Sequence, residues 1–256
     1  MPRRQLAKQT GIGMRLYIQG RDVSGDVGSI GTIRSTAAPL DVTSIQDSAM
    51  VRIPGMRDGE ITFNVFFNNA TGETHDYLAS LPTTDVLALV LCGTTRGDRV
   101  FALTAKQVNY DWTRNQDGSL QGTVQLLSSA GVPLEYGLLL KAKGTHASAT
   151  DETGINHGAQ TVSGAIGFLQ HFSAATGTVE YDLEDSSDST NGVDGSWANL
   201  GAFSDVATPY AAIAQRIEIS GTVEKWVRAS TNGTFTTAVF AMAFRRLNAG
   251  DYDAAP

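Results

Sequence analysis

Four histidines (His75, His146, His157, His171) and one cysteine (Cys92) are the side chains best suited to hold a metal or act as a nucleophile. Their spacing supports neither role. No two histidines stand at the i, i+4 separation that places two ligands on one helical face, and a single cysteine offers no thiolate pair for zinc. Cys92 sits in the apolar run VLALVLC, where a small buried side chain is expected rather than the partly exposed, low-pKa thiol of a Cys–His dyad. The glycine-rich GDVGSIG lacks the G-x-S-x-G frame of a nucleophile elbow and the lysine of a phosphate loop, and tight turns account for its glycines. Carboxylates gather in EYDLEDSSDSTNGVDG, residues 180–195, where Asp185, Asp188 and Asp194 carry oxygens of the kind calcium takes. The D-x-[DN]-x-[DN]-G pattern fails there: with Asp188 first, Thr190 and Gly192 occupy the third and fifth positions. A solvated hairpin loop is the expected reading. No catalytic, cofactor-binding or metal site is expected, and the chain does not read as an enzyme.

The elements that would have to position such groups read as strands. IGMRLYIQG (12–20) is a strand closed by the turn RDVSGD, and GSIGTIR and LDVTSI are short strands parted by STAAP. A lead-in, QDSAMVRIPGMRDG, precedes a strand at 60–67 with Ile61, Phe63, Val65 and Phe67 on one face and Thr62 and Asn64 on the other. TGETHDYLASLP predicts a helix capped by Thr74, with Tyr77, Leu78 and Leu81 on one face and Pro82 as its stop. VLALVLC, RVFALTAKQVNYDW and SLQGTVQLLSS follow as strands, with RNQDGS a hairpin turn. Residues 141–160 lack an apolar period and read as a linker. Beyond it, short strands with Gly, Asn and Asp turns predict a β-sandwich. PYAAIAQ reads as a loop.

The 256 residues suit two domains: 1–140, then the linker 141–160, then 161–256. Charge divides the same way. Residues 1–150 hold 14 Lys+Arg against 13 Asp+Glu, whereas residues 151–256 hold 5 against 13, a net of −8. That acidic half argues against a grip on nucleic acid, which needs clustered cations, and for a solvated outer surface. No stretch approaches the ~20 apolar residues of a membrane span. MPRRQLAKQTG is basic without an apolar stretch behind it, so no signal peptide is expected and synthesis in a cytosol is. The absence of chemistry leaves architecture as the signal, because exposed strand edges are templates for pairing with another chain.

An ordered series carries a family likeness. LDVTSIQDS, the extended AMVRIPGMRDG, the alternating EITFNVFFN, a short helix at HDYLASL and strand pairs ending in LSSAGVPLEYG follow one another. This series resembles the major tail protein, or tail tube protein, of long-tailed bacteriophages, and AKQTGIGMRLYIQGRDVSGDVGSI is similar to the opening of actinophage-type members. The likeness covers residues 5–140. It implies a mostly β fold: a tail-tube-type β-sandwich or barrel with one short helix, to which a second β-sandwich of jelly-roll or Ig-like type is appended. It implies a structural virion protein that forms stacked, hexameric rings, a tube through which DNA passes in transit, assembled in the host cytoplasm. The implied partners are the chain itself and the tail tip, terminator and tape-measure proteins.

On that likeness the extended loop reaches a neighbouring ring through Met50, Val51, Ile53 and Met56, with Arg52, Arg57, Asp58 and Glu60 as polar partners. The alternative is a loop folded back on its own sheet. Thr62 and Asn64 would face a polar lumen, a face that Phe66 interrupts, and the basic N-terminal arm with Arg3, Arg4 and Lys8 would dock on an acidic neighbour. Two other readings remain open: a capsid decoration or cement protein, and a carbohydrate-binding module in the C-terminal half, with Trp197, Tyr210 and Trp226 as stacking candidates.

Overall fold

β-Branched and aromatic residues at period two give fifteen strands and one helical turn in a computed structural model that describes residues 11–249. Arg3, Arg4 and Lys8 lie outside the described residues. The first half contributes β1 (Arg15–Ile18), β2 (Arg21–Asp22), β3 (Val27–Asp41), β4 (Arg52–Phe66), α1 (Thr74–Leu78), β5 (Val86–Leu91), β6 (Arg99–Arg114), β7 (Leu120–Ser128) and β8 (Glu135–His146). The second contributes β9 (Thr150–Asp151), β10 (Ile155–Asn156), β11 (Ala165–Ser186), β12 (Ala198–Ala202), β13 (Val206–Ala207), β14 (Ile213–Ile219) and β15 (Trp226–Arg246). The fold is mostly β, as composition and pattern predict.

In the first half the hydrogen-bonded order is β2–β1–β5–β6–β7–β4–β3, all antiparallel. The sheet closes over its own apolar face: Ile61, Phe63 and Val65 of β4 and Val124 and Leu126 of β7 meet Leu16, Ile18, Val86, Ala88 and Val90 across the layer. The VLALVL run of β5 is explained by burial on both faces. Its even positions fill that core, while Leu87, Leu89 and Leu91 fill a second layer against Ile166, Phe168, Ala241 and Ala243 of β11 and β15. Each leucine so buried contributes about 1.5–3 kcal/mol.

That second layer joins the halves. Gln170 of β11 reaches into it, accepting a hydrogen bond from Gly20 N–H (2.5 Å) and donating to Leu87 O (2.9 Å). A Cβ at Gly20, where φ is +73°, would lie 2.3 Å from His171 O, so the two backbones meet only because this residue is glycine. Arg216 of β14 donates bidentately to the fully buried Glu135 of β8 at 2.7 and 2.9 Å. The second half is built on the long β11–β15 ladder, flanked by β12, β13 and β14 on the β11 side and β8, β9 and β10 on the β15 side. Its core holds Leu169, Tyr181, Leu183, Phe240 and Met242.

Several local expectations change. Residues 141–160 contain the end of β8 and all of β9 and β10, each paired with β15, rather than a structureless stretch. GSIGTIR and LD belong to one strand, β3, which carries Pro39 within it. The lead-in is a strand too: β4 begins at Arg52. The helix is one turn of 5 residues; Glu73 holds the N-cap position without a side-chain cap, Thr74 is inside the helix, and Leu81 lies beyond it at a φ of +43°. Phe67 leaves the core face where β4 ends, and stacks on His75 and Trp112. Cys92 is half-buried, with burial pushing its thiol pKa upward.

Candidate functional site

The β3–β4 hairpin has two parts with different surroundings. From Glu60 to Phe66, β4 is flanked by β3 on one side and β7 on the other. From Arg52 to Gly59 it pairs with β3 alone, and β3 has no second neighbour among the described strands. A two-stranded ribbon of roughly 20 Å therefore projects from the sheet. Its tip closes on itself: Thr43 N–H and Oγ1–H donate to Asp41 Oδ1, Ser44 N–H donates to Asp47 Oδ2 at 2.6 Å, and Val42 N–H donates to Val51 O at 3.0 Å.

Register sorts the ribbon's side chains. Leu40 faces Ile53, and the Val42–Val51 pair lies two residues further along both strands, so these four share one face. Asp41 and Arg52 fall on the other. Each of the four apolar side chains is 43–51% exposed, Met56 is 89% exposed, and Ile45 at the tip is wholly so. An amphipathic ribbon with neither face covered leaves apolar surface in water that a partner would remove, at about 1–2 kcal/mol per side chain.

Of the residues expected at an inter-subunit contact, Met50, Val51, Arg52, Ile53, Met56 and Arg57 stand on this ribbon. Asp58 and Glu60 stand at its root with partners inside the chain. Asp58 Oδ1 accepts from Ser128 Oγ (2.8 Å), and the largely buried Glu60 pairs with Arg34 and accepts from Gln125 Nε2 (2.6 Å). Sequence reading missed Leu40 and Val42, because only pairing with the downstream strand reveals that they extend the same apolar face, and it missed Ile45, exposed at the tip.

Beside the ribbon's root, β3, β4, β7 and β6 present the face opposite the core. Cross-strand rows are Thr62–Gln125–Asn109, Ser29–Asn64–Thr123–Asp111 and Phe66–Gln121–Thr113. These rows hold amides, hydroxyls, one phenyl ring and one carboxylate, and no cation. Asn64 Nδ2 donates to Ser29 Oγ (3.3 Å), Thr123 Oγ1 donates to Asn64 Oδ1 (3.1 Å), and Thr62 Oγ1 accepts from Thr32 N–H (2.8 Å). Thr62 and Asn64 thus share a continuous polar face, as their alternation with Ile61, Phe63 and Val65 implies. The two cations bordering it are paired, Arg34 with Glu60 and Lys106 with Asp85 at 3.0 Å. The Phe66 ring lies against β3 at Gly28, where a Cβ would come within 2.9 Å of it.

The residues that could have done chemistry are built into the scaffold. His146 Nδ1 lies 2.8 Å from Thr231 Oγ1 and its Nε2 2.8 Å from Glu152 Oε1. That imidazole contact, aided by Lys141, holds the Glu152 carboxyl down to about 2. Burial lowers His157 and His171 to about 4, and His171 Nδ1 lies 2.6 Å from Tyr181 Oη. Asp194 accepts from Thr190 and Ser189, and Asp188 from Ser186 and Ser196, so the acidic loop is tied to itself. Among the described residues no group of three or more His, Cys, Asp or Glu could hold a metal ion, and no helix is long and apolar enough to cross a membrane. Trp197 is covered on one face by the Arg228 guanidinium at 4.3 Å, Tyr210 donates to Gly177 O, and Trp226 is 9% exposed.

No family model matches the sequence, and no curated protein does either. Solved structures with a related outline come from particles of one general kind. A chain of the native gene transfer agent virion is 15% identical, covering 50% of this chain and 98% of its own, with a TM-score of 0.40. The SPP1 Dit protein, described as a paradigm of the hub adsorption apparatus in phages infecting Gram-positive hosts, is 12% identical over 91% of this chain and 99% of its own, at 0.34. A chain of the phage p2 baseplate in its activated conformation is 9% identical over 92% and 99%, at 0.30. These are likenesses of outline alone.

Proposed function

We propose that this chain is a structural subunit of a phage tail, which assembles with copies of itself by seating the β3–β4 ribbon of each copy on the next. The observation that carries the reading is the ribbon's uncovered apolar face, Leu40, Val42, Val51 and Ile53, with Ile45 and Met56 also exposed on the same ribbon. An isolated two-stranded hairpin is marginal in water, so a projecting one with an apolar face is best accounted for by a partner. The ordered sequence likeness to tail tube proteins supplies the form of the assembly: hexameric rings that stack into a tube, capped by tip and terminator proteins and filled by a tape measure.

In that assembly the polar face around Thr62, Asn64, Thr123 and Gln125 lines the passage. Its cation-free rows suit DNA in transit, because phosphate-neutralising side chains would retain the polymer. The acidic second half faces outward, where like charge keeps particles apart. The role is structural rather than enzymatic.

The test is electron microscopy of the purified, concentrated protein beside a variant in which residues 40–53 are replaced by Asn-Gly. Pro39 and Pro54 face each other, so a two-residue turn closes the shortened hairpin there. Rings or striated tubes from the parent chain, and dispersed particles from the variant at unchanged Tm, are expected. Equal assembly by both would overturn the role of the ribbon. If neither assembles alone, the same pair is added to purified tail tips, and extension by the parent chain alone is then expected.

A further inference from the structure

Where β6, β8 and β15 run side by side, an open cleft of about 760 Å3 is bounded by Arg99, Tyr136, His157, Val162, Arg246 and Ala249. Register places its charged groups together. Arg99 faces Leu138, and Leu138 faces Phe244, so the three form one cross-strand row with side chains on a common face. Arg246, two residues beyond Phe244, returns to that face. The His157 ring packs on Phe244 at 5.4 Å between centroids, and the charge of Arg246 adds to burial in keeping that imidazole neutral.

Arg246 Nε and His157 Nε2 are buried and have no hydrogen-bond partner among the described residues, whereas such atoms in folded proteins are nearly always paired. Leaving one unpaired is costly, and more so when the group is charged. Tyr136 and Val162 on the rim are 51% and 70% exposed, apolar surface against which the body of a bound molecule can rest.

We propose that this cleft is an oxyanion-binding site for a carboxylate or phosphate group. The guanidinium groups of Arg246 and Arg99 are its charged donors, and the neutral ring of His157 lines the cleft between them and Phe244. Charge-assisted hydrogen bonds from a guanidinium are about twice as strong as neutral ones. The site goes beyond the assembly reading and stands on different residues.

The experiment is a titration of the full chain with sodium phosphate at constant ionic strength, read from the ring resonances of His157, with sodium chloride as control. Saturable shifts are expected, with a dissociation constant on the order of millimolar. Arg246→Gln should weaken binding about tenfold, and so should Arg99→Gln, which lies at an exposed position and tests the site if the first variant fails to fold. Past Ala249 the sequence continues to Asp251 and Asp253, which lie outside the described residues. An Asp251→Asn/Asp253→Asn variant identifies the source of the anion. Tighter phosphate binding means that the chain's own carboxylates compete for the site, and unchanged binding means that the anion comes from another molecule. Absence of saturable shifts in both the parent chain and this variant, or arginine variants that both bind phosphate as tightly as the parent chain, overturns the proposal.

Discussion

Two long antiparallel ladders dominate this molecule, and they meet opposite fates. The β11–β15 ladder, 22 and 21 residues long, is flanked on both outer edges and buried over much of both faces. Among the described strands, the β3–β4 ladder, 15 residues a side, has one open edge throughout and, from Gly59 to its tip, no neighbour. Both carry apolar residues that alternate with polar ones along much of their length. Packing makes the difference: Tyr181 and Phe240 stack at 4.9 Å inside the first, while Leu40 and Ile53 stand half in water on the second. A ladder supported on all sides stabilises the chain that contains it, whereas one projecting alone offers its burial energy to whatever it meets.

The largest expected effect on the isolated chain lies in the supported ladder. Phe240→Ala should destabilise it by about 3–5 kcal/mol, read as a shift in denaturant midpoint, because close packing gives the cavity little room to collapse. A loss below about 1 kcal/mol would break the comparison. Gln170→Ala comes next, at roughly 1–3 kcal/mol, since it leaves Gly20 N–H without its acceptor at the junction of the halves, while Leu87 O keeps the Gln19 N–H at 3.1 Å. An unchanged midpoint would mean that the halves are held by apolar contact alone.

Acid should act on the supported region through its histidines. His157 and His171 are lowered by burial from 6.5 to about 4, so the unfolded chain binds their protons first. Their contribution is complete above about pH 6.5 and declines toward about pH 4, with a slope of up to about 1.4 kcal/mol per pH unit for each histidine, and is constant below. Glu152 adds a loss at lower pH, between its ordinary 4.5 and about 2. Urea midpoints measured from pH 7.5 to 3.5 should fall through the first window, and His171→Phe should flatten the curve. A flat parent curve would show that neither imidazole is held neutral.

The smallest effect is expected on the open ladder. Leu40→Ser with Ile53→Ser should move the stability of the isolated chain by no more than about 0.5 kcal/mol per site, because these side chains are already exposed. The same pair should cut self-association, measured by sedimentation, about tenfold or more. A large loss of stability without loss of association would reverse the roles assigned to the two ladders.

The pattern of Ile61, Phe63 and Val65 against Thr62 and Asn64 determined by itself a strand with one apolar and one polar face, because side chains alternate at period two whatever surrounds them. The VLALVL run likewise marked a strand, and its burial on both faces followed from the two layers packed against it. Residues 50–58 read as a loop because Pro54–Gly55 and Asp58–Gly59 are turn signals at short range. Pairing with β3 overrides them, and the prolines are tolerated since Pro39 and Pro54 lie on the part of the ladder with open outer edges. The Gly- and Ser-rich stretch 141–160 read as a linker for a similar reason: its backbone groups are satisfied by β15, some eighty residues distant, which no local window contains. The cleft around Arg246 and His157 was equally hidden, since its groups come from three separated segments. Sequence by itself determined which residues alternate and how charge divides between the halves. Tertiary structure decided which alternating faces found cover, because burial depends on long-range partners and the ribbon's apolar face has none among the described residues.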